Sequence, residues 1–313
     1  AAPRSGCIGD FRSGWHSVRR PGFRRYFRCG VELLDLGRNM LQALYASRLR
    51  SWARALGITW LLQMPRRIRG RKLAARWDSH RGDTLAVDIA GVTVVCPASD
   101  KAEFLRAVYL AEDAQILETI AGACGTGAVY WDVGANLGHY AAILSKVVGA
   151  EGKVFAFEPE PRVRDQLHAC VGLNGDANVT VVPLGLSDRT GRLDFFADTE
   201  SASGTHSLIA HGPGSEKITV DVTTGDDFVA SGNPCPTVMK IDVEGAELSV
   251  VRGMPETLKN PALAAVLCEV HFAVLERSGQ GEAPAEIARL LRDAGLTDQR
   301  WVDASHLFAR RAA

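Results

Sequence analysis

The chain has 313 residues, enough for one large domain with an appendage. Its 46% hydrophobic content can supply a sizeable core, and no apolar run approaches the roughly 18 residues of a membrane-spanning helix; the longest, Ile58 to Met64, is far too short. The net charge of zero conceals a division, because residues 1–82 hold 18 basic and 4 acidic residues, net +14, and the remainder carries −14, so two physically different parts are expected.

Residues 1–30 contain seven arginines and one acid, with Gly, Pro and Ser but no hydrophobic periodicity. They read as a disordered basic segment, and with no apolar stretch they do not read as a secretory signal. Residues 31–82 read as a basic, amphipathic helical extension. Leu41, Leu44, Tyr45, Leu49, Trp52 and Leu56 recur at three- and four-residue steps, with Arg48, Arg50 and Arg54 among them. Such a helix either packs on the main domain or makes peripheral contact with an anionic membrane surface. The run Arg66 to Lys72 lacks interleaved aromatics, so nucleic acid is not an expected partner. The seven cysteines form no CxxC pair and are odd in number. They read as reduced, mostly buried thiols of a cytoplasmic protein.

From residue 83 to 313 a single α/β domain is expected. Residues 85–96 alternate around Gly91 as a hairpin, and 102–121 read as helix. Strands follow at Val129–Val133, Val154–Phe157, Val179–Val182, Leu193–Ala197, Ile218–Val222, Val238–Ile241 and Leu263–Val270. Helices are expected at Gly138–Val148, Pro161–Leu173, from about Ala246, and at Glu282–Ala294, with two short strands closing the chain. The alternation predicts a mainly parallel sheet with helices on both faces, whose ligands bind at the carboxyl ends of the strands.

Two segments point to a nucleoside-bearing cofactor. Asp132-Val133-Gly134-Ala135-Asn136-Leu137-Gly138 follows a strand and opens a helix, and its glycines let the backbone approach a ligand. Gly134 and Gly138 are spaced as GxxxG, not the GxGxxG of a dinucleotide site. Glu158 ends the next strand, 20 residues after Gly138, where a carboxylate can accept hydrogen bonds from both ribose hydroxyls. Two later segments, around Lys240-Ile241-Asp242-Val243-Glu244 and Glu269-Val270-His271, put Asp242, Glu244, Glu269 and His271 on one rim. Helix capping by Asp242 and Glu244, and an ordinary core-edge place for His271, are the structural alternatives.

The run VYWDVGANLGHYAAILSKVVG, followed in order by FAFEPEP, GLSDRTGRLDFF, VDVTTGDDF, VMKIDVEGAELSVVRG and LCEVH, resembles the FkbM-type methyltransferases over roughly residues 100–311. The resemblance implies a Rossmann-like class I methyltransferase fold with S-adenosylmethionine as methyl donor. It implies cofactor contacts from Asp132, Gly134, Asn136, Gly138, Glu158, Ser187 and Asp188. The implied reaction is O-methylation of a small-molecule or glycan hydroxyl, on a sugar, glycolipid or natural product. Asn233-Pro234-Cys235-Pro236 precedes a strand, whereas the NPPY motif of amino-group methyltransferases ends one, so an amine acceptor is not expected. For the catalytic step His271 or Asp242 is the expected base, with Glu244 and Glu269 orienting it or holding neighbouring hydroxyls. No metal is expected, although the same acids offer a divalent cation a place from which to acidify the hydroxyl. The alternatives are an NAD(P)-dependent Rossmann oxidoreductase, which lacks its glycine pattern, and a non-catalytic Rossmann-like binding protein.

Overall fold

A computed structural model describes residues 73–312, apart from 74, 90, 111–113, 199–205 and 208–214. The disordered segment and most of the helical extension expected from the sequence lie outside the described residues. The chain divides into units at Lys72, so residues 73–82 belong with the α/β domain. The reason is packing: Trp77 meets Phe104 at 5.6 Å between ring centroids, and Leu73 is buried beside Ala98 and Val108.

In the central sheet β3 (Val129–Val133), β4 (Lys153–Phe157), β5 (Val179–Val182), β10 (Val238–Ile241) and β11 (Ala265–Glu269) run parallel, and β13 (His306–Arg310) and β12 (Asp298–Trp301) close the edge antiparallel. The sheet is built around β3, β4, β10 and β11, whose residues are mostly buried on both faces. The order β12-β13-β11-β10-β3-β4-β5 reverses direction between β3 and β10. Side chains alternate between two cores. Tyr130, Val154, Ala156 and Leu267 face one; Trp131, Phe157, Met239, Ile241 and Cys268 face the other.

Helices cover both faces, as the alternating pattern predicts. α3 (His139–Val148) and α4 (Pro161–Asn174) pack on the Tyr130 face. α6 (Glu247–Arg252) and α9 (Ala283–Asp293) pack on the Trp131 face, as do the short helices α5 (Gly225–Ala230), α7 (Pro255–Lys259) and α8 (Phe272–Arg277). α4 starts with Pro161 in its first turn and a cap from Glu160, whose Oε2 accepts the Val163 amide at 2.6 Å. The expected hairpin is present as β1 (Thr84–Ile89) and β2 (Val92–Pro97).

Within the helical stretch read over 102–121, the described residues form α1 (Lys101–Leu110) and α2 (Ala114–Ala121). Phe104 and Val108 of α1 join Leu73, whereas Ile116, Leu117 and Ile120 of α2 join the sheet core. The strands read at Leu193–Ala197 and Ile218–Val222 lie outside the central sheet. They pair antiparallel as β7 (Gly191–Asp198) and β9 (Ser215–Thr223) in a second, four-stranded sheet with β6 (Gly185–Leu186) and β8 (His206–Ser207). Free cysteines are found at 96, 124, 170, 235 and 268, with Cys96, Cys170 and Cys268 buried. Among the described residues no helix is long and apolar enough to cross a membrane.

Candidate active site

The site lies where the strand order reverses, at the carboxyl ends of β3, β4, β10 and β11. Gly134 follows β3 at φ 81, in the left-handed region, and a Cβ there would fall onto the Asp242 carbonyl oxygen. Only glycine lets the β3–α3 turn and the end of β10 come this close. Gly138 precedes α3 at φ 83, and a Cβ on it would strike Leu167 of α4. Asn136, between them, is also left-handed at φ 51, which asparagine tolerates better than most residues.

A cleft of about 630 Å3, partly open to solvent, begins at this turn. Its polar wall includes Glu158, whose Oε2 accepts the Asn136 amide at 3.1 Å and whose Oε1 accepts the Glu160 amide at 3.0 Å. Burial raises the Glu158 pKa to about 7, against the lowering effect of those two amides. The opposite wall is apolar, with Leu186, Phe195, Ile218 and Val220, so the second sheet supplies one side of the cleft. This pairing of an apolar wall with a few fixed polar groups suits a nucleoside. Of the residues expected around a cofactor, Gly134, Asn136 and Glu158 line the cleft. Gly138 lies behind it as the packing contact just described. Ser187 and Asp188 do not line it: Gly185 and Leu186 do, while the Ser187 amide donates to Thr223 and its carbonyl packs where a Cβ on Gly253 would sit.

Asp132 is fully buried in the sheet, side by side with Lys240 in the β3–β10 register. The Ala141 amide and the Tyr130 hydroxyl face its carboxylate, although neither oxygen completes a hydrogen bond of good geometry. Burial raises its pKa to about 6 against the pull of the Lys240 ammonium. Lys240, itself buried, donates to Asp242 Oδ2 at 2.8 Å and lies 4.6 Å from the centre of the Tyr140 ring. Burial works against its charge, but the two aspartates outweigh burial and hold its pKa above the ordinary value.

Sheet register also gathers the rim. Ile241 is level with Cys268, so Asp242 and Glu269 emerge together, and Glu269 is level with His306. His271 sits among acids. Its Nδ1 lies 2.8 Å from Glu247 Oε1; its Nε2 lies 3.3 Å from Glu244 Oε2, 3.8 Å from Asp242 Oδ1 and 3.9 Å from Glu269 Oε1. Burial alone would depress the imidazole pKa. The hydrogen bond to Glu247 and the charges of Glu244 and Asp242 outweigh it and raise the value to about 9. His271 is therefore an imidazolium at neutral pH, which differs from the neutral proton acceptor expected from the sequence. Glu244, at φ 54, is raised to about 7, burial being the main cause and His271 opposing it. Asp242 is lowered: burial opposes its charge but the Lys240 ammonium overrides burial.

Capping does not explain these acids. Ala246 is the N-cap of α6 and makes no side-chain cap bond, while the Gly245 amide is taken by Glu247 Oε1 at 2.8 Å. Asp242, Glu269 and His271 each present one side-chain atom within 4.8 Å of the other two, close enough to share a cation. Glu247 and Lys240 lie in the quoted motif but carried no expected role, and Arg106 of α1 lies outside every motif.

The "Methyltransferase FkbM domain" family matches residues 132–296. The chain is also similar to "Hexuronic acid methyltransferase AglP" of Haloferax volcanii, with 37% identity over 175 residues, 55% of this chain and 64% of that protein. The match thus spans less than two thirds of that relative. Among solved structures, the methyltransferase FkbM from Methylobacillus flagellatus KT is similar at 15% identity and TM-score 0.40, covering 67% of this chain and 54% of that one. Aeropyrum pernix fibrillarin, in complex with natively bound S-adenosyl-L-methionine, is similar at 12% identity and TM-score 0.39, covering 74% and 94%. The family match takes in the glycine turn, Glu158 and the whole acidic rim across more than half the chain, and the protein belongs to the FkbM methyltransferase domain family.

Proposed function

We propose that the protein is an S-adenosylmethionine-dependent O-methyltransferase whose acceptor is a hydroxyl on a sugar. The observation that carries this reading is the cleft at the β3–α3 turn, with a ribose-spaced carboxylate on one wall and Asp242 and Glu244 of the acidic rim in its lining. The family match supports methyl transfer, and the name of the Haloferax relative supports a sugar as acceptor. When bound, S-adenosylmethionine supplies an electrophilic methyl on a sulfonium, already a good leaving group.

The residues of this chain then have two tasks. Gly134, Asn136 and Glu158 hold the nucleoside, Glu158 accepting from the ribose hydroxyls. The rim holds the acceptor in line and takes its proton. Positioning of this kind supplies several kcal/mol of the barrier reduction. Glu244 is the base we favour on the rim, since it lines the cleft and its value near 7 suits proton transfer at neutral pH. Asp242, held ionised by Lys240, is a weaker base, and His271 as an imidazolium fixes the carboxylates around it. A divalent cation on Asp242, Glu269 and His271 is the second reading; it would displace the proton from Nε2 and acidify the hydroxyl directly.

The test is methyl transfer from a methyl-labelled donor to a panel of sugar glycosides, read as a +14 Da product by mass spectrometry. Transfer to glycoside hydroxyls, lost in Glu244→Gln, is expected. Transfer only to amines or thiols would overturn the assignment to oxygen.

A further inference from the structure

A second cleft, of about 620 Å3, opens on the other side of the glycine turn and shares Gly134, Asn136 and Asp242 with the first. Arg106 of α1 stands on its wall, half-buried. One guanidinium N–H donates to Asn136 Oδ1 at 2.8 Å. Among the described residues, no carboxylate lies within ion-pair distance of it. Asp242 and Glu244 act on it only from further away, and Asp242 is already held by Lys240 at 2.8 Å. A guanidinium has five donors in a planar fork that matches a carboxylate, and a partly desolvated cation with a single neutral partner is costly to leave so. Arg106 itself is part of the cleft lining. Asn136, bound through its amide to Glu158 and through its side chain to Arg106, ties the two clefts together.

We infer that Arg106 is the receptor for a carboxylate carried by a molecule bound in the second cleft. The inference rests on reading the first cleft as the methyl-donor site. Two molecules of the reaction can bring that group: the methyl donor through its amino-acid end, or the acceptor as a uronic acid. The chemistry on the protein side is the same for both, a bidentate pairing with a guanidinium. Arg106 is on this account a binding and specificity residue and takes no part in proton transfer.

Calorimetry on the full chain separates the sources. In the first arm, S-adenosylhomocysteine is compared with 5′-methylthioadenosine, the same nucleoside thioether without the amino-acid end. In the second, p-nitrophenyl glucuronide is compared with p-nitrophenyl glucoside at saturating S-adenosylhomocysteine. In one arm the wild type should bind the carboxylate-bearing compound at least about tenfold tighter, as a charge-assisted pair predicts. Arg106→Gln should bring that preference to within about twofold, Arg106→Lys should keep part of it, and methylthioadenosine affinity should hold in all three. The arm that responds identifies the source. No preference in either arm, or a preference that survives Arg106→Gln, overturns the inference while leaving the donor site standing, since methylthioadenosine still binds. Loss of methylthioadenosine binding in Arg106→Gln also overturns it, because the arginine would then serve the nucleoside through Asn136. Failure of the wild type to bind either nucleoside overturns the reading of the first cleft and the inference with it.

Discussion

The buried carboxylate of Glu247 holds the imidazole of His271 by a 2.8 Å contact between Oε1 and Nδ1. Glu247 is fully buried and also accepts the Gly245 amide, so it fixes both the ring and the turn after β10. The second ring nitrogen is thereby aimed at Glu244, Asp242 and Glu269.

This arrangement makes stability depend on pH. The folded-state pKa of His271, about 9, lies above its ordinary 6.5. The protonated ring therefore contributes stability that is fully present below about pH 6.5 and is lost as pH rises through about 9. Urea unfolding should show the wild type losing on the order of 2 kcal/mol more than His271→Gln across that window. Parallel pH profiles for the two proteins would mean that the imidazole titrates as it does in water.

On the proposed role of Glu158, cofactor affinity should depend on pH in the opposite sense. Its carboxyl is raised to about 7, and only the ionised form can accept from both ribose hydroxyls. S-Adenosylhomocysteine should bind more tightly at pH 8 than at pH 6. That gain should vanish in Glu158→Gln, measured by titration calorimetry at both pH values. A wild type with pH-independent affinity would remove Glu158 from the ribose.

Gly134→Ala should be severe. The new Cβ meets the Asp242 carbonyl, and the left-handed φ penalises any side chain. A loss of roughly 2 kcal/mol or more is expected from these two effects together, with cofactor binding abolished. Thermal unfolding measures the first and calorimetry the second. A variant as stable as the wild type would show that the turn and the end of β10 are not in contact.

On the rim, Glu244→Gln should lower turnover by about 10²–10⁴-fold, the range for loss of a general base. His271→Ala should slow turnover while leaving S-adenosylmethionine affinity within about twofold, because its contacts lie with the rim. Activity should survive EDTA. Collapse with EDTA and recovery with Mg²⁺ would instead assign Asp242, Glu269 and His271 to a cation.

The parts of this site that were legible in the sequence are those that local chain geometry creates. The glycine turn after a short strand, the acid ending the next strand and the acidic end of β10 each announce themselves within a few residues. What sequence could not show is set by packing. Arg106 reaches Asn136 across 30 residues because α1 is anchored by Phe104, and no spacing rule predicts that. Glu247 looks like an ordinary helix-start acid; only the fold places His271, 24 residues later, against it. Ser187 and Asp188 follow the same motif as Gly185 and Leu186, but β6 ends before them, and the chain has already turned from the cleft. The charge state of His271 depends on Glu247, Glu244 and Asp242, which sequence could gather but not measure.

Titration calorimetry with S-adenosylmethionine, S-adenosylhomocysteine and NAD, on the wild type and Glu158→Ala, tests the central claim most directly. The account predicts one-to-one binding of both sulfur nucleosides, no binding of NAD, and an affinity in Glu158→Ala weaker by ~1–3 kcal/mol, the cost of orphaned hydrogen bonds. Binding of NAD, or an unchanged affinity in Glu158→Ala, would contradict it.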